Sequence, residues 1–502
     1  MSSVSDQAGR VPLGWAQEPF VLALDIGSTG SRGDVYDATG RPVAGGRRKV
    51  EHAFTTGGDG TSVLDADAVV REAAEILDAL AVPGLEGRIG GVSLDTFASS
   101  LVGVTANGRA CTPCFTYADS RCGQQVVALR EELDEAAVHQ RTGTRLHSSY
   151  LAPRLRWLRE TDPDTFRQAR RWMSLGEYVY LRLAGVTAAG TATAAWTGML
   201  DRRTGAWDPE LLGAAGIELD QLSEVRDPAA PLRDVGASVA SRWPALAGAA
   251  WFPVVADGLS SNVGVGASDA SAMAASAATS GAMRVLVHRV PDELPSGLWC
   301  YRIDDSRSLL GGAVNDVGRA VSWLAATVKL DPNDDLDGIA AADPAAVAPL
   351  VLPYFSGERA TGWAANARAT FTGVSAATSG SQLARGVLEG VAISYARIAD
   401  QLRSVSDQAS TILASGRVAQ ELPSFLQVLA DVLESPVVPV TTKRATLRGT
   451  ALLALEVLAP EVERVGPATG ETLTPVAERA EYYQDRRQGY QRLYEAVVSG
   501  FR

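Results

Sequence analysis

The sequence predicts an α/β protein of two large domains, each opening on a hairpin whose turn is suited to phosphate. Three observations predict it. A Gly/Ser/Thr turn recurs in the two halves, apolar periodicity alternates between strand and helix, and 502 residues exceed what one hydrophobic core organises.

The first turn lies within residues 20–36, Phe-Val-Leu-Ala-Leu-Asp-Ile-Gly-Ser-Thr-Gly-Ser-Arg-Gly-Asp-Val-Tyr. A continuous apolar run suits a buried strand, then the chain turns abruptly polar before apolar residues return at Val35 and Tyr36. One strand–turn–strand unit thus gathers a carboxylate (Asp25), hydroxyls (Ser28, Thr29, Ser31), glycines (Gly27, Gly30) and Arg32. Backbone N–H groups, hydroxyls and a guanidinium can meet phosphate there while the carboxylate faces a divalent cation. The second turn, Ala278-Thr279-Ser280-Gly281-Ala282-Met283-Arg284, runs into Val285-Leu286-Val287 and is a weaker copy. Taken singly, either turn is also ordinary hairpin punctuation; the recurrence is what points to phosphate.

After the opening hairpin, helical spacing of apolar residues predicts a helix from Leu64 to Val82, and Ile89 to Leu94 follow as a short strand. This βα order belongs to an α/β domain with a largely parallel sheet. Phe97–Val104 and Ala110–Tyr117 flank Ala106-Asn107-Gly108, a hairpin turn signal. Helices are expected over Gly123–His139, Leu151–Glu160 and Pro163–Leu183. Between Pro228 and Trp251 the chain is rich in Ala, Pro and Gly, which predicts a domain boundary near residue 255. The second half repeats the plan, with hairpin strands around Thr279 and around Trp299–Ile303 and a helix from Val317 to Leu330. A strand is expected at Thr411–Ala414, and helices at Ser381–Val405, Pro423–Leu433 and Leu447–Leu458.

Composition narrows the partners. An apolar content of 46% with 21% charged residues is that of a soluble globular protein. A formal charge of −12 argues against general nucleic-acid or anionic-membrane binding, while leaving room for a local basic pocket. No apolar stretch reaches the ~20 residues of a membrane span. Residues 1–19 lack the basic start and apolar run of a signal peptide, so a cytoplasmic location is expected. The 4 cysteines do not make a disulfide framework. Cys111 and Cys114 form a CxxC with Cys122 nearby, but a structural zinc needs a fourth ligand and no second CxxC exists; packed, reduced thiols are expected.

At the level of motifs, the chain resembles the FGGY carbohydrate kinases, and within them the gluconokinase-type branch. The resemblance runs from about Phe20 to about Tyr490. It rests on Asp25-Ile-Gly-Ser-Thr-Gly-Ser-Arg32, Thr116-Tyr-Ala-Asp-Ser-Arg121, Leu146-His-Ser-Ser-Tyr150 and Asp257-Gly-Leu-Ser-Ser-Asn-Val-Gly-Val-Gly266. Thr279-Ser-Gly-Ala-Met-Arg284, Leu352-Pro-Tyr-Phe-Ser-Gly-Glu-Arg359 and Ala414-Ser-Gly416 complete the set in the family's order.

The resemblance implies two actin-like, ribonuclease-H-like domains, residues 1–255 and 256–502, with an interdomain catalytic cleft where sugar and ATP meet. It implies transfer of the γ-phosphoryl group of MgATP to a hydroxyl of a sugar, polyol or sugar acid, with ATP and Mg²⁺ as cofactors. Asp257 matches the family's catalytic base, in contact with substrate, and Asp25 its Mg²⁺-associated carboxylate. Gly27, Ser28, Thr29 and Arg32 correspond to a first phosphate clamp and Thr279 to a second. Gly318 and Gly416 match backbone positions packed against the nucleotide, with Arg417 beside them. Substrate contacts are implied for Thr96, Ser99, Asp119, Arg121, His147 and Tyr150. Read from the residues alone, an Asp before Gly is more often a turn residue than a base, and His147 is equally a helix-cap or core histidine. Dimers are common among such kinases, and no heptad or large apolar stripe here supports one.

Departures from the family pattern cluster. Ala98-Ser99 stand where relatives carry a bulky residue followed by His, which implies a substrate larger than, or different from, gluconate. Ala278 stands where a Gly usually precedes Thr-Ser-Gly, tolerable only with a negative φ. Arg417 replaces the second Gly of a nucleotide turn and either intrudes on the adenosine pocket or swings out; Leu422 replaces a small polar residue. Lys443-Arg444-Ala445-Thr446-Leu447 replaces an acidic-and-serine approach to the last helix. Two further readings therefore stand beside the active kinase: a degenerate homologue that binds a ligand or partner without phosphoryl transfer, and a hydrolase on the same fold.

Overall fold

The computed structural model describes residues 9–232, 234–344 and 348–498. The chain forms two compact units. Unit 1 comprises Met1–Gly264, Cys300–Ser308 and Arg444–Gly466; unit 2 comprises Val265–Trp299, Leu309–Lys443 and Pro467–Arg502. The expected cut near residue 255 is a single point, whereas the helix Asp257–Gly264 completes unit 1 and two later segments return to it.

Unit 1 is built on a mixed sheet in the order Ala250–Trp251, Ile89–Thr96, Phe20–Gly27, Gly30–Tyr36, Pro42–Glu51, with Val255–Ala256 also pairing Ile89–Thr96. Phe20–Gly27 is antiparallel to Gly30–Tyr36 and parallel to Ile89–Thr96. The largely parallel sheet expected from βα order is thus parallel on one side only, because the opening turn forces a hairpin on the other. Phe20, Val21, Leu22, Ala23 and Ile26 are fully buried, as a strand covered on both faces requires. The helix Ala66–Leu80 lies on this sheet, entered through Asp65, whose side chain accepts from Ala68 N. A second core under residues 101–222 gathers Leu101, Phe115, Leu129, Leu151, Leu155 and Trp172.

Unit 2 repeats the arrangement. Its sheet runs Trp299–Arg302, Ser308–Val314, Gly281–Val287, Ala272–Ala277, Thr411–Ser415, Val437–Pro439. Ala272–Ala277 is antiparallel to Gly281–Val287 and parallel to Thr411–Ser415, the same relation as at the centre of unit 1. The helix Gly380–Val405 starts at a capping box formed by Ser379 and Gln382.

Several expected elements take a different form. The stretch 123–139 is two helices, Gly123–Glu132 and Glu135–Thr142, because Leu133 is extended and Asp134 caps the second through Ala136 N and Ala137 N. The stretch 163–183 is helix Pro163–Gln168, strand Arg171–Met173 and helix Leu175–Ala184, restarted by the Ser174/Glu177 capping box. The Asn107-Gly108 turn forms, with Gly108 at φ +76. Its flanks meet antiparallel as expected, at Val104 with Ala110 and at Leu101 with Phe115, and each also takes a second partner: Val102–Val104 pairs Arg171–Met173, and Cys114–Phe115 pairs Ser62–Leu64.

Candidate active site

The register of the unit 1 sheet gathers its acidic residues. Asp25 is paired with Arg32 on one side and Asp95 on the other, while Val255 and Ala256 pair Asp95 and Thr96, so Asp257 begins its helix one residue beyond. In-register residues of neighbouring strands share a face, and the carboxyl ends of parallel strands are where α/β sheets carry ligands. Arg32 approaches Asp25 at 3.6 Å. Burial raises the Asp25 carboxyl above the ordinary range, with the Arg32 charge and a hydrogen bond to Asp95 pulling it back. Asp95, fully buried, is pushed well above the usual carboxylate range, first by burial and then by the charge of Asp25. Of the two carboxyls, Asp95 is the one pushed further up, because it lacks the Arg32 charge that pulls Asp25 back. Thr450 hydrogen-bonds Asp95 Oδ2 and lies 2.9 Å from Ser260 Oγ. Asp95 is absent from the sequence-based candidates because the expected strand ends at Leu94, although a carboxylate closing an apolar strand is the same signal that marks Asp25.

The turn itself is Ser28-Thr29, both exposed, closed by the Gly27–Gly30 pair. Gly30 has φ +150, and a Cβ there would lie 2.5 Å from Val50 O, so the third strand presses against the turn from behind. Asp257 is half-buried, and the neighbouring Gly258 leaves room for Trp196, whose Cζ2 would be 3.0 Å from a Cβ. The helix Asp257–Gly264 crosses the helix Ala445–Leu458 with backbones touching: a Cβ on Gly264 would lie 1.7 Å from Ala445 O, and one on Gly449 1.8 Å from Ser260 O.

The residues expected to meet the sugar are held by one another. Thr96 is buried at the end of its strand. Ser99 has φ +55 and donates to Trp196 O at 2.6 Å. Buried Arg154 donates to Ser99 O at 2.8 Å, Ser148 O at 3.0 Å and Ser149 O at 2.9 Å, tying this loop to the one carrying His147. No local signature in the sequence announces that arginine. Tyr150 OH lies 2.8 Å from Tyr301 OH, and Tyr301 stacks on Trp196 with ring centroids 3.8 Å apart. The cavity beside Ala98 and Ser99 holds only ≈ 10 Å³ and is also lined by Thr193, Trp196 and Thr197. That is room for about one water. Trp196 is the bulkiest of the side chains that line the cavity.

Asp119 is fully buried and accepts from Ser62 N at 2.9 Å and Arg121 at 2.7 Å, while Arg121 lies 4.4 Å over the Trp157 ring. This pair thus locks the 116–121 turn to the strand at Ser62. His147 Nδ1 accepts from Ser149 N at 3.1 Å, which puts the ring proton on Nε2.

In unit 2, Thr279 and Ser280 are exposed in the hairpin turn. Gly318 N donates to Ala278 O at 2.8 Å and Arg319 N to Thr279 O at 3.1 Å, so the helix Gly318–Thr327 abuts the turn. A Cβ on Gly318 would lie 2.6 Å from Ala278 O, and one on Gly416, at φ +108, 2.4 Å from Ala277 O. Both glycines thus pack against the turn's own backbone. Ala278 is not among the non-glycine residues of positive φ, so its methyl is accommodated. Arg417 swings out: it is exposed and ion-paired with Glu421 at 3.4 Å, while Leu422 is buried beside it.

Cys111, Cys114, Cys122 and Cys300 are free thiols, and burial pushes Cys114 up to about 12. Among the described residues, no group of three or more His, Cys, Asp or Glu is placed to hold a metal ion by itself. A single carboxylate such as Asp25 nonetheless suits Mg²⁺, which keeps its waters and binds one or two carboxylates together with substrate phosphates.

The model of the FGGY family of carbohydrate kinases, N-terminal domain, matches residues 20–264, and that of the C-terminal domain matches residues 273–456. The chain belongs to this family. As an FGGY kinase it is a phosphotransferase with an alcohol group as acceptor. This FGGY kinase is 25% identical over 488 residues to gluconokinase of Bacillus subtilis (strain 168), covering 93% of each chain. It is 27% identical over 429 residues to xylulose kinase of Escherichia coli (strain K12), covering 83% of this chain and 84% of that one. It superposes on the crystal structure of gluconate kinase from Lactobacillus acidophilus with a TM-score of 0.88 at 26% identity, covering 96% of this chain and 99% of that one. No helix among its described residues is long and apolar enough to cross a membrane.

Proposed function

We propose that this FGGY kinase transfers the γ-phosphoryl group of MgATP to a hydroxyl of a gluconate-type polyhydroxy acid, with Asp257 as general base. The observation that carries the reading is the sheet register of unit 1, in which the Asp25/Arg32 turn and the Asp257 helix follow the carboxyl ends of the two strands that flank Ile89–Thr96. Phosphoryl transfer needs charge neutralisation, in-line positioning and a group to take the hydroxyl proton. Asp25 would hold Mg²⁺, which supplies charge neutralisation on the phosphates. Gly27, Ser28, Thr29 and Arg32 would hold phosphate in unit 1. In unit 2 the Thr279 turn would do so, with Gly318 and Gly416 acting by shaping that turn. Thr96, at a strand end, and His147 and Tyr150, on a later loop, would orient the acceptor, while Ser99 ties its own loop to Trp196 and Arg154, and Asp119 with Arg121 holds the 116–121 turn.

The choice of a gluconate-type acceptor is supported by the gluconokinase and gluconate kinase relatives and by the closed space beside Ala98 and Ser99. Of the two departures behind the degenerate alternative, Arg417 is exposed and ion-paired with Glu421, which supports the active reading.

The test is ADP release from MgATP against a panel of sugar acids, ketoses and polyols. Release dependent on gluconate supports the proposal, release dependent on another acceptor overturns the substrate assignment, and acceptor-independent release overturns transfer altogether. Asp257→Asn is expected to keep acceptor binding by calorimetry and lose at least ~10²-fold in kcat. Near-normal turnover would remove Asp257 as the base.

A further inference from the structure

His52 follows the strand Pro42–Glu51 and lies behind the Ser28-Thr29 turn. Its Nδ1 is 2.7 Å from Glu72 Oε2 and its Nε2 is 2.8 Å from Gly27 O. A carboxylate and a carbonyl both only accept, so each ring nitrogen must carry a hydrogen, and the ring is an imidazolium. Ser31 Oγ donates to the same Glu72 oxygen at 2.7 Å. One cation therefore ties the two sides of the turn: Gly27 directly, and Ser31 through Glu72 of the helix Ala66–Leu80. The pair is largely out of water, with side chains 7% and 12% exposed.

We propose that His52, as an imidazolium, is a positioning residue for the Ser28-Thr29 turn, fixing Gly27 and Ser31 and placing a positive charge beneath the site where phosphate binds. This rests on the reading of that turn as a phosphate clamp. A neutral ring turns one lone pair toward an oxygen that can only accept, so loss of the proton releases one side of the turn. The charged groups facing the ring are Glu72, which favours the cation, and Arg32, which opposes it. Burial works against the charge, and the hydrogen bonds to Glu72 and Gly27 outweigh it, leaving the pKa above the usual 6.5. The sign follows: phosphate affinity is full below about pH 6.5 and falls as the pH rises through the raised pKa. Linkage is reciprocal, so if the protonated form binds nucleotide about tenfold tighter, nucleotide raises the His52 pKa by about one unit.

The experiment follows the imidazole C–H resonances of the 4 histidines of the full-length chain by NMR, with His52→Gln identifying the His52 signal, in the absence and presence of MgADP. The same pH series gives kcat/KM for MgATP and KM for the sugar. Expected are a His52 pKa above 6.5, a rise of about one unit with MgADP, and an about tenfold fall in kcat/KM for MgATP over that range with the sugar KM unmoved. His52→Gln flattens the profile, and Glu72→Gln moves its midpoint to lower pH. A merely structural role would move both substrates' constants and leave no midpoint in common with the NMR titration, and that result overturns the proposal. A His52 pKa at or below 6.5 overturns it as well. So does a pKa unmoved by MgADP in protein that binds it, which leaves the phosphate clamp standing. Absence of any MgATP-dependent turnover or MgADP binding would bring down the clamp reading, and the proposal with it.

Discussion

At the residue scale, a buried carboxyl that is already neutral can be exchanged for an amide. Asp95 lies beside Asp25 and is bonded by Thr450, and burial together with the Asp25 charge pushes its carboxyl well above the usual range. Asp95→Asn retains an oxygen for Thr450 and a donor for Asp25, whereas Asp95→Ala removes both, leaving Thr450 only Ser260 and Thr446 and Asp25 only Arg32, at about 1–3 kcal/mol. The expected outcome in thermal unfolding at pH 7 is a clear loss for the Ala variant and none for Asn. Equal losses would mean that Asp95 is ionised. The pH dependence has a definite sign: a carboxyl whose folded pKa is raised contributes stability below its unfolded value and loses it as the pH rises through the folded one. The Tm of Asp95→Asn relative to the native chain should therefore climb with pH. Legibility at this scale depended on locality. Asp25 and Thr279 stand out because their short Gly/Ser/Thr turn recurs in the two halves, and Asp257 because its local motif matches a family pattern. Asp95, His52 and Arg154 do not, because what defines them is a partner contributed by a distant stretch: Thr450, Gly27 with Glu72, and the carbonyls of Ser99 and Ser148. The ion pair between Asp119 and Arg121, which the resemblance matched to substrate contacts, was equally out of reach of the sequence.

At the element scale, the position of Asp257 is set by the crossing of two helices. Gly264 and Gly449 allow the helices Asp257–Gly264 and Ala445–Leu458 to touch backbone to backbone. Gly449→Ala places a methyl 1.8 Å from Ser260 O, a backbone atom that no side-chain rotation can relieve. The helices must separate, and overpacking of this kind costs about 1–3 kcal/mol or more. The expected outcome is a lowered Tm together with a fall in kcat larger than any change in the KM for MgATP, because the base moves while the Ser28-Thr29 turn stays. An unchanged kcat would show that the crossing does not govern the base. Apolar spacing located the later helix to within a few residues, but the sequence reading gave no helix at Asp257–Gly264, and the contact between the two rests on two glycines 185 residues apart in sequence. The same limit explains the stretch 123–139: apolar spacing runs through Leu133, and only the Asp134 cap, a local hydrogen bond to Ala136 N and Ala137 N, breaks it.

At the scale of the whole molecule, the order of the chain and the composition of its units differ. Unit 1 takes back residues 444–466 after the whole central part of unit 2 has been laid down. The returning helix packs on the strands Phe20–Gly27 and Ile89–Thr96, and it brings Leu447, Leu452, Leu453 and Leu455 into burial. At about 1.5–3 kcal/mol for each such side chain, roughly 6–12 kcal/mol of apolar burial belongs to this helix, as much as the net stability of a typical domain. Residues 1–264 expressed alone should therefore fail to fold cooperatively, since the sheet carrying Asp25 and Asp95 would lose the cover of one face and Asp95 its hydrogen bond from Thr450. Fusion of residues 444–466 to that fragment through a flexible linker should restore a cooperative thermal transition. The measurement is calorimetry on both fragments. A sharp transition in 1–264 by itself would show that the sheet and the helices before residue 264 are a sufficient core, and that the late helix serves to place Ser260 and Asp257 rather than to hold the unit together.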